Sequence, residues 1–158
     1  MNILIAETLI ALIGLARANN LWFHAAHHAS KGDAFSGDHE LLYSEVYAAY
    51  NEAVDGLVEW AIGLTNDETM SSPVRITELA IVAIRTYPEP CCSTALGIAG
   101  AALDVEKQFV SAIEETFAML EGKRQLSLGL NDMLAALANK HETFVYKLQQ
   151  RVRSTVGV

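Results

Sequence analysis

The sequence predicts an all-α protein: a bundle of four long helices, with a short extra helix in the connection between the second and third. Three observations lead to this prediction. The chain of 158 residues is 51% hydrophobic, so residues 1–158 can fill the core of a single domain. Its three prolines all lie between Pro73 and Pro90, which leaves two long stretches without a helix breaker. Apolar residues recur at helical spacing along both stretches, and no strand pattern competes.

The first two long helices precede the prolines. We expect the first from Asn2 to about Ala29, where Gly32 in the polar segment Ser30–Asp33 provides a natural break. The second is expected from about Ser36 to Leu64. Its apolar stripe consists of Leu42, Val46, Ala49, Ala53, Leu57 and Trp60.

The short middle helix has a clear start. Ser72 is a good N-cap and Pro73 a good first helical residue, so a helix is predicted over Val74–Arg85, followed by a stop at Tyr87–Pro90. A connection that holds a helix is long enough to cross the bundle. One crossover connection is characteristic of the ferritin-like variant of the four-helix bundle.

Two further long helices complete the bundle. The third is predicted from about Cys92 to Leu120, with Gly122 as its C-cap. The last is predicted from about Leu126 to Arg153. Helices of this length, about 35–45 Å, suit a four-helix bundle.

Charge and cysteine content restrict the partners and the compartment. With 19 acidic and 11 basic residues the net charge is −8, which argues against broad nucleic-acid binding and is compatible with cations as partners. The adjacent Cys91 and Cys92 cannot form a disulfide scaffold, so a reducing compartment, the cytoplasm, is expected. No uninterrupted apolar stretch reaches the ~18 residues that a membrane span needs.

Four of the five histidines lie close together in the sequence, at His24, His27, His28 and His39. Imidazole is a good ligand for iron, zinc or copper. On a helix His24 could chelate a metal together with His28 or with His27, because these spacings bring side chains onto one face. A single histidine is more often a surface or packed residue, but the cluster favours a metal site.

The second helix carries carboxylates that could complete such a site. Asp55 and Glu59 are four residues apart and share a helical face, while Glu45, Glu52 and Glu59 recur every seven residues. A solvated acidic face is the alternative interpretation, and for Glu45 and Glu52 it is the favoured one. A paired Asp and Glu near imidazoles could bind a divalent ion and leave positions open for oxygen chemistry.

The segment from His27 to Phe35, followed by His39 to Leu42, resembles the signature of the Dps family of mini-ferritins. In that family a helix-end histidine is followed by Lys-Gly, then Phe, then a second histidine opening the next helix. Asp55 and Glu59 are similar to the family's later Asp-x-x-x-Glu, and Arg85–Pro88 is similar to the Ser-Tyr-Pro that ends its short middle helix. The resemblance covers nearly the whole chain.

The resemblance implies a hollow homo-oligomer, a dodecamer, that oxidises ferrous iron with peroxide or oxygen and stores the ferric mineral. It implies a ferroxidase site shared between two subunits, with His27 and His39 from one and Asp55 and Glu59 from its neighbour. His24 and His28 are candidate accessory ligands, and Glu45 and Glu52 are weaker candidates for iron transit. Zinc and manganese use the same ligand types, so the metal stays open.

Three departures from the family pattern bear on activity. Tyr43 stands where many relatives have an Asp that binds a second iron, and packing is its favoured role. His28 replaces the usual Trp, either as an added ligand or, preferably, on the outer face. The interval from His39 to Asp55 is one residue longer than in typical relatives, so we expect a π-bulge or an adjusted helix start between Tyr43 and Val54.

Two alternatives to a cage-forming ferroxidase remain at this point. One is a structural or interaction protein that kept the Dps fold and lost the chemistry, or that binds zinc. The other is a bundle that is only dimeric. DNA binding is not expected, because the chain begins Met-Asn-Ile-Leu without the basic arm of the family members that coat DNA.

Overall fold

The computed structural model describes residues 3–153 and confirms an all-α four-helix bundle with a short helix in its crossover. Along this part of the chain the α-helices are α1 Ile3–Ala29, α2 Ser44–Thr65, α3 Pro73–Ile84, α4 Ala95–Gly122 and α5 Leu128–Val152. A π-helical stretch, Gly37–Tyr43, leads into α2 and is called the π-segment below. Short 3₁₀ turns lie at Gly32–Ala34, Glu68–Ser71 and Pro90–Cys92, and no described residue forms a strand.

Hydroxyl side chains cap three of the helices. The Ser72 hydroxyl accepts a hydrogen bond from the Arg75 amide, with Pro73 as first helical residue, which confirms the predicted start of α3. Thr94 and Ser127 cap α4 and α5 in the same way. The predicted start of the third long helix at Cys92 is three residues early, because Pro90–Cys92 forms a separate 3₁₀ turn ahead of the Thr94 cap.

The ends of two helices use left-handed residues other than glycine. Asn66, with φ of 52°, caps α2, and its amide donates to the Ile62 carbonyl. The prediction that Gly122 caps α4 is wrong: Gly122 is still helical, and the left-handed residue is Arg124, with φ of 56°. The predicted start of the first helix, Asn2, lies outside the described residues.

The bundle is built from two packed pairs of helices. α1 packs against α2, α4 packs against α5, and α1 also contacts α4. α3 lies across α1, where Gly14 is buried. A methyl group at Gly14 would come 2.5 Å from Cβ of Leu79, so glycine allows α1 and α3 to approach closely. No helix within residues 3–153 combines the length and the apolar character needed to cross a membrane.

Candidate metal centre

His27 at the end of α1 and His39 in the π-segment are brought face to face. Their rings stack with centroids 3.6 Å apart and an interplanar angle of 20°. The Phe35 ring also stacks on His39, with centroids 4.7 Å apart, and both histidines are only partly exposed. The two histidines predicted as ligands from one subunit are therefore adjacent within one chain.

Reciprocal hydrogen bonds hold the two imidazoles. Nδ1 of His27 donates to the backbone carbonyl of His39 at 2.7 Å, and Nδ1 of His39 donates to the carbonyl of His27 at 2.8 Å. A carbonyl can only accept, so each Nδ1 carries its proton and, in the neutral ring, each Nε2 keeps a free lone pair. Metal-binding histidines are commonly oriented by a carbonyl at the other ring nitrogen in this way.

The turn between α1 and the π-segment determines this arrangement. The Ser30 hydroxyl donates to the Ala26 carbonyl, and the Ser30 amide reaches the His27 carbonyl, which closes the last turn of α1. Gly32 follows with φ of 72°, a conformation that other residues rarely adopt. The predicted break at Gly32 thus reverses the chain and returns His39 to His27.

A partly buried ion pair fixes the π-segment from the other side. The Asp38 carboxylate accepts two hydrogen bonds from the Arg151 guanidinium of α5, at 2.8 and 2.9 Å, and its side chain is only 4% exposed. Burial, with the nearby Asp38 carboxylate, raises the pKa of Tyr43 well above its usual range. Tyr43 is fully buried against Phe23, so its predicted packing role is confirmed.

The π-segment provides a place for the one extra residue that the resemblance predicts between His39 and Asp55. A π-turn holds one residue more than an α-turn, so the predicted π-type irregularity is present. Its predicted position between Tyr43 and Val54 is wrong, because α2 is a regular α-helix from Ser44 onward. The buried residues of α2 recur at α-helical spacing, and an extra residue within α2 would rotate some of them out of the core. The turn before α2 is therefore the place where an extra residue can fit.

Asp55 and Glu59 lie apart from the histidines of the same chain. Both are exposed on α2. The Tyr47 ring, 5.4 Å from the His27 ring, marks the level of the histidines, and Asp55 follows eight residues later, about 12 Å along the helix. Among the described residues, no group of three or more His, Cys, Asp or Glu side chains is placed to hold one metal ion.

His24 and His28 form a separate contact on the outer side of α1. Both are exposed, which agrees with the outer-face position that the sequence favoured for His28. Their Nε2 atoms lie 3.3 Å apart. The His28 ring is 4.9 Å from His27, and Tyr47 lies edge-on to His24 at 5.1 Å. Tyr47 therefore contacts two of the four clustered histidines, His24 and His27. Tyr47 was not identified as a site residue from the sequence, although its position one helical turn after Tyr43 could have indicated it.

The carboxylates proposed for iron transit are engaged in exposed ion pairs. Glu45 contacts Lys147 of α5 at 2.7 Å, and Glu52 contacts Lys140 at 2.8 Å. The hydrogen bond from Lys140 is the larger cause of the lowered pKa of Glu52, and the charge of Lys140 is the smaller one. These contacts fit the solvated acidic face that was favoured for both residues.

A polar cluster that sequence reasoning missed lies in the middle of the bundle. His141 of α5 contacts Glu106 of α4 at 2.8 Å, and both are completely buried. Beside them, Asn19 donates to Tyr50 at 3.0 Å and accepts from Tyr87 at 2.8 Å. Burial, aided by the Glu106 carboxylate, raises the pKa of Tyr50 well above its usual range and that of Tyr87 to about 12.

Comparison with known proteins identifies the fold. Two solved structures of Dps from Mycobacterium smegmatis are similar to this chain. The first, a tetragonal form, has a TM-score of 0.78 and 20% identity, covering 98% of this chain and 88% of that one. The second has a TM-score of 0.77 and 21% identity, covering 97% and 83%. No family model and no curated protein matches the sequence. The chain has a Dps-like, ferritin-like fold.

Proposed function

We propose that this protein is an iron-oxidising mini-ferritin whose ferrous site is shared between two copies of the chain. His27 and His39 of one copy bind the iron together with Asp55 and Glu59 of its neighbour. The oxidised iron is stored as ferric mineral in a homo-oligomeric cage, a dodecamer by its resemblance to Dps. Because the iron is consumed and stored, it is the substrate.

The observation that carries this proposal is the mutual orientation of His27 and His39. Their reciprocal Nδ1–H bonds to backbone carbonyls select the tautomer in which Nε2 is free to bind a cation. The carbonyls also fix the orientation of both rings, as the partners of metal-binding histidines commonly do.

The separation of the carboxylates supports sharing between copies. In one chain Asp55 and Glu59 are well removed from the histidine pair. Both are exposed, and neither forms a salt bridge with a basic side chain among the described residues. Two copies related by a twofold axis would each supply one half of two equivalent sites. Oxygen ligands complement the imidazoles, because the two types together suit ferrous iron.

The chemistry requires only electron transfer and open coordination positions. Two ferrous ions each give one electron to hydrogen peroxide, its O–O bond breaks, and two protons complete two molecules of water. The resulting ferric ions hydrolyse and deposit as mineral. The acidic character of the chain, net charge −8, favours the accumulation of cations.

The first experiment is an anaerobic ferrous titration followed by addition of peroxide. We expect oxidation to be lost in His39→Ala and in Asp55→Ala, and retained in Glu52→Ala, a control that removes another exposed carboxylate from the same helix. Equal oxidation by all four proteins would reject the proposal. Molecular mass in solution tests the cage independently.

A complementation experiment tests the sharing of the site. Co-assembly of His39→Ala chains with Asp55→Ala chains restores one intact site in each mixed pair, so random mixing restores about a quarter of the sites. A site contained within one chain would show no recovery in the mixture. This outcome separates the intersubunit proposal from any intrachain alternative.

The competing candidate is a protein with the Dps-like fold that has lost ferroxidase activity or binds zinc instead. The buried Tyr43 supports it, since its side chain, in the core, provides no carboxylate for a second iron. Zinc binding without peroxide-dependent oxidation of iron would favour this candidate. We also expect no DNA binding, and a tight, salt-sensitive gel shift at low salt would contradict that expectation.

A further inference from the structure

A second pair of imidazoles, outside the proposed ferrous site, has the geometry of a metal chelate. His24 and His28 lie one turn apart in the regular part of α1, and both are exposed. Their Nε2 atoms are 3.3 Å apart, with the rings at 76° to each other. Two imidazole nitrogens bound to one tetrahedral ion, each at about 2.0–2.1 Å, lie about 3.4 Å from one another.

The existing contact shows that a lone pair is already directed at the neighbouring ring. In a hydrogen bond between two Nε2 atoms only one can donate, so the other presents its lone pair. A metal ion between the rings replaces the shared proton, which moves to the free Nδ1 of the donor ring. Both rings then bind the ion through Nε2, and no movement of the helix is required.

We propose that His24 and His28 form a second metal site, a bis-imidazole chelate for a divalent transition-metal ion, with water completing the coordination. Nitrogen ligands favour Cu²⁺ over Zn²⁺ and Zn²⁺ over Fe²⁺. The site is therefore expected to select ions other than the iron proposed above. It goes beyond the proposed function, because one chain supplies both ligands and no neighbouring copy is needed.

The histidines of the two sites make different contacts. In His27 and His39, Nδ1 is occupied by a backbone carbonyl. In His24 and His28, the Nε2 atoms face each other. The Tyr47 ring beside His24 closes one side of the pair. The two pairs adjoin, because the His28 ring packs edge-on against the His27 ring at 4.9 Å. Variants of one pair should still leave the nitrogen contacts of the other pair in place.

The test is a calorimetric titration with CuCl₂ and, separately, ZnCl₂. We compare the whole chain with His24→Gln, with His28→Gln and with the combined variant. A second ligand on the same helix raises the local concentration of imidazole, so loss of either should weaken binding on the order of 100-fold. Circular dichroism confirms that each variant remains helical, as expected for exposed positions.

A matched control keeps the number of histidines and breaks the spacing. Combining His24→Gln with Leu21→His, at another exposed position of α1, separates the two imidazoles by seven residues, about 10 Å. This variant should bind as weakly as His24→Gln alone. Electron paramagnetic resonance of the copper complex should show coupling to two nitrogens in the wild type and to fewer in the control.

The result is separable from the fate of the ferrous site. The combined variant His27→Gln, His39→Gln should retain Cu²⁺ and Zn²⁺ binding at His24 and His28 even if iron oxidation is lost. Unchanged affinity and stoichiometry in His24→Gln and His28→Gln would overturn the proposal. So would loss of binding in the His27 and His39 variant, since the outer pair would then only be part of the ferrous site.

Discussion

Glu106 and His141 meet in the middle of the bundle, with Oε2 of the carboxylate 2.8 Å from Nδ1 of the imidazole. Neither side chain reaches solvent. The second carboxylate oxygen, Oε1, and the second ring nitrogen, Nε2, have no hydrogen-bond partner among the described residues. Each residue is therefore the main polar partner of the other, and this connects α4 to α5 at the centre of the core.

The first prediction concerns this pair. Glu106→Leu or His141→Leu alone should lower the free energy of unfolding by about 3–5 kcal/mol, because the remaining group is buried without its partner. The combined variant should lose much less, because two apolar side chains of similar volume need no partner. Urea unfolding at one protein concentration measures the cycle, and additive losses would contradict the prediction.

A second prediction follows from the close approach of α1 and α3. Gly14→Ala should lower the free energy of unfolding by about 1–3 kcal/mol, because the new methyl group would come 2.5 Å from Cβ of Leu79. Gly100→Ala in α4 is the matched control, since nothing lies within 4 Å of its added methyl group. It should raise stability by about 0.5–1 kcal/mol through helix propensity. A stabilised Gly14→Ala would show that the two helices separate freely.

These cases show how far the sequence predicts the structure. The resemblance to Dps was sufficient to pair His27 with His39, but their reciprocal bonds involve backbone carbonyls, which no side-chain pattern reveals. Glu106 was missed because a polar residue within an apolar stripe does not by itself indicate a buried contact. The contact becomes evident only when the facing helix, which carries His141, is known. One extra residue before Asp55 was predicted from the length of the interval alone, whereas the position of the π-segment depends on which turn the core leaves unconstrained.

The third prediction concerns the ion pair between Asp38 and Arg151. Asp38→Asn should lower the free energy of unfolding by about 2 kcal/mol, because a buried carboxylate that accepts two charged hydrogen bonds is lost. Glu52→Gln is the control: its pair with Lys140 is exposed, so water screens it and stability should not change measurably. Equal effects of the two substitutions would show that the Asp38 pair does not hold the π-segment.

The fourth prediction concerns the adjacent exposed thiols. The Sγ atoms of Cys91 and Cys92 are 3.4 Å apart, and the hydrogen bond and charge of Cys92 raise the pKa of Cys91. A raised pKa means less thiolate at a given pH, so iodoacetamide should modify Cys91 slowly at pH 8. Cys92→Ala should accelerate the modification, as measured by mass spectrometry of the Cys91 peptide. An unchanged rate would indicate that Cys92 does not influence this thiol.

The last prediction tests the accommodation of the extra residue. Leu41 is 72% exposed within the π-segment, so deleting it should convert this stretch into a continuous α-helix with α2. The residues on either side, including His39, should keep their positions, and the protein should unfold at nearly the wild-type urea concentration. Nitrogen-15 spectra should still show His27 and His39 protonated at Nδ1.

The matched control is deletion of the exposed Ala48, which lies in the regular part of α2. An α-helix has no surplus residue to lose, so this deletion rotates the preceding residues by about 100° relative to those that follow. Val46 and Tyr43 would then leave the core, or Ala53 and Leu57 would, and stability should fall by more than about 4 kcal/mol. If both deletions were equally damaging, the π-segment would be a required feature of the bundle, and the spacing of His39 from Asp55 would not be explained by a single inserted residue.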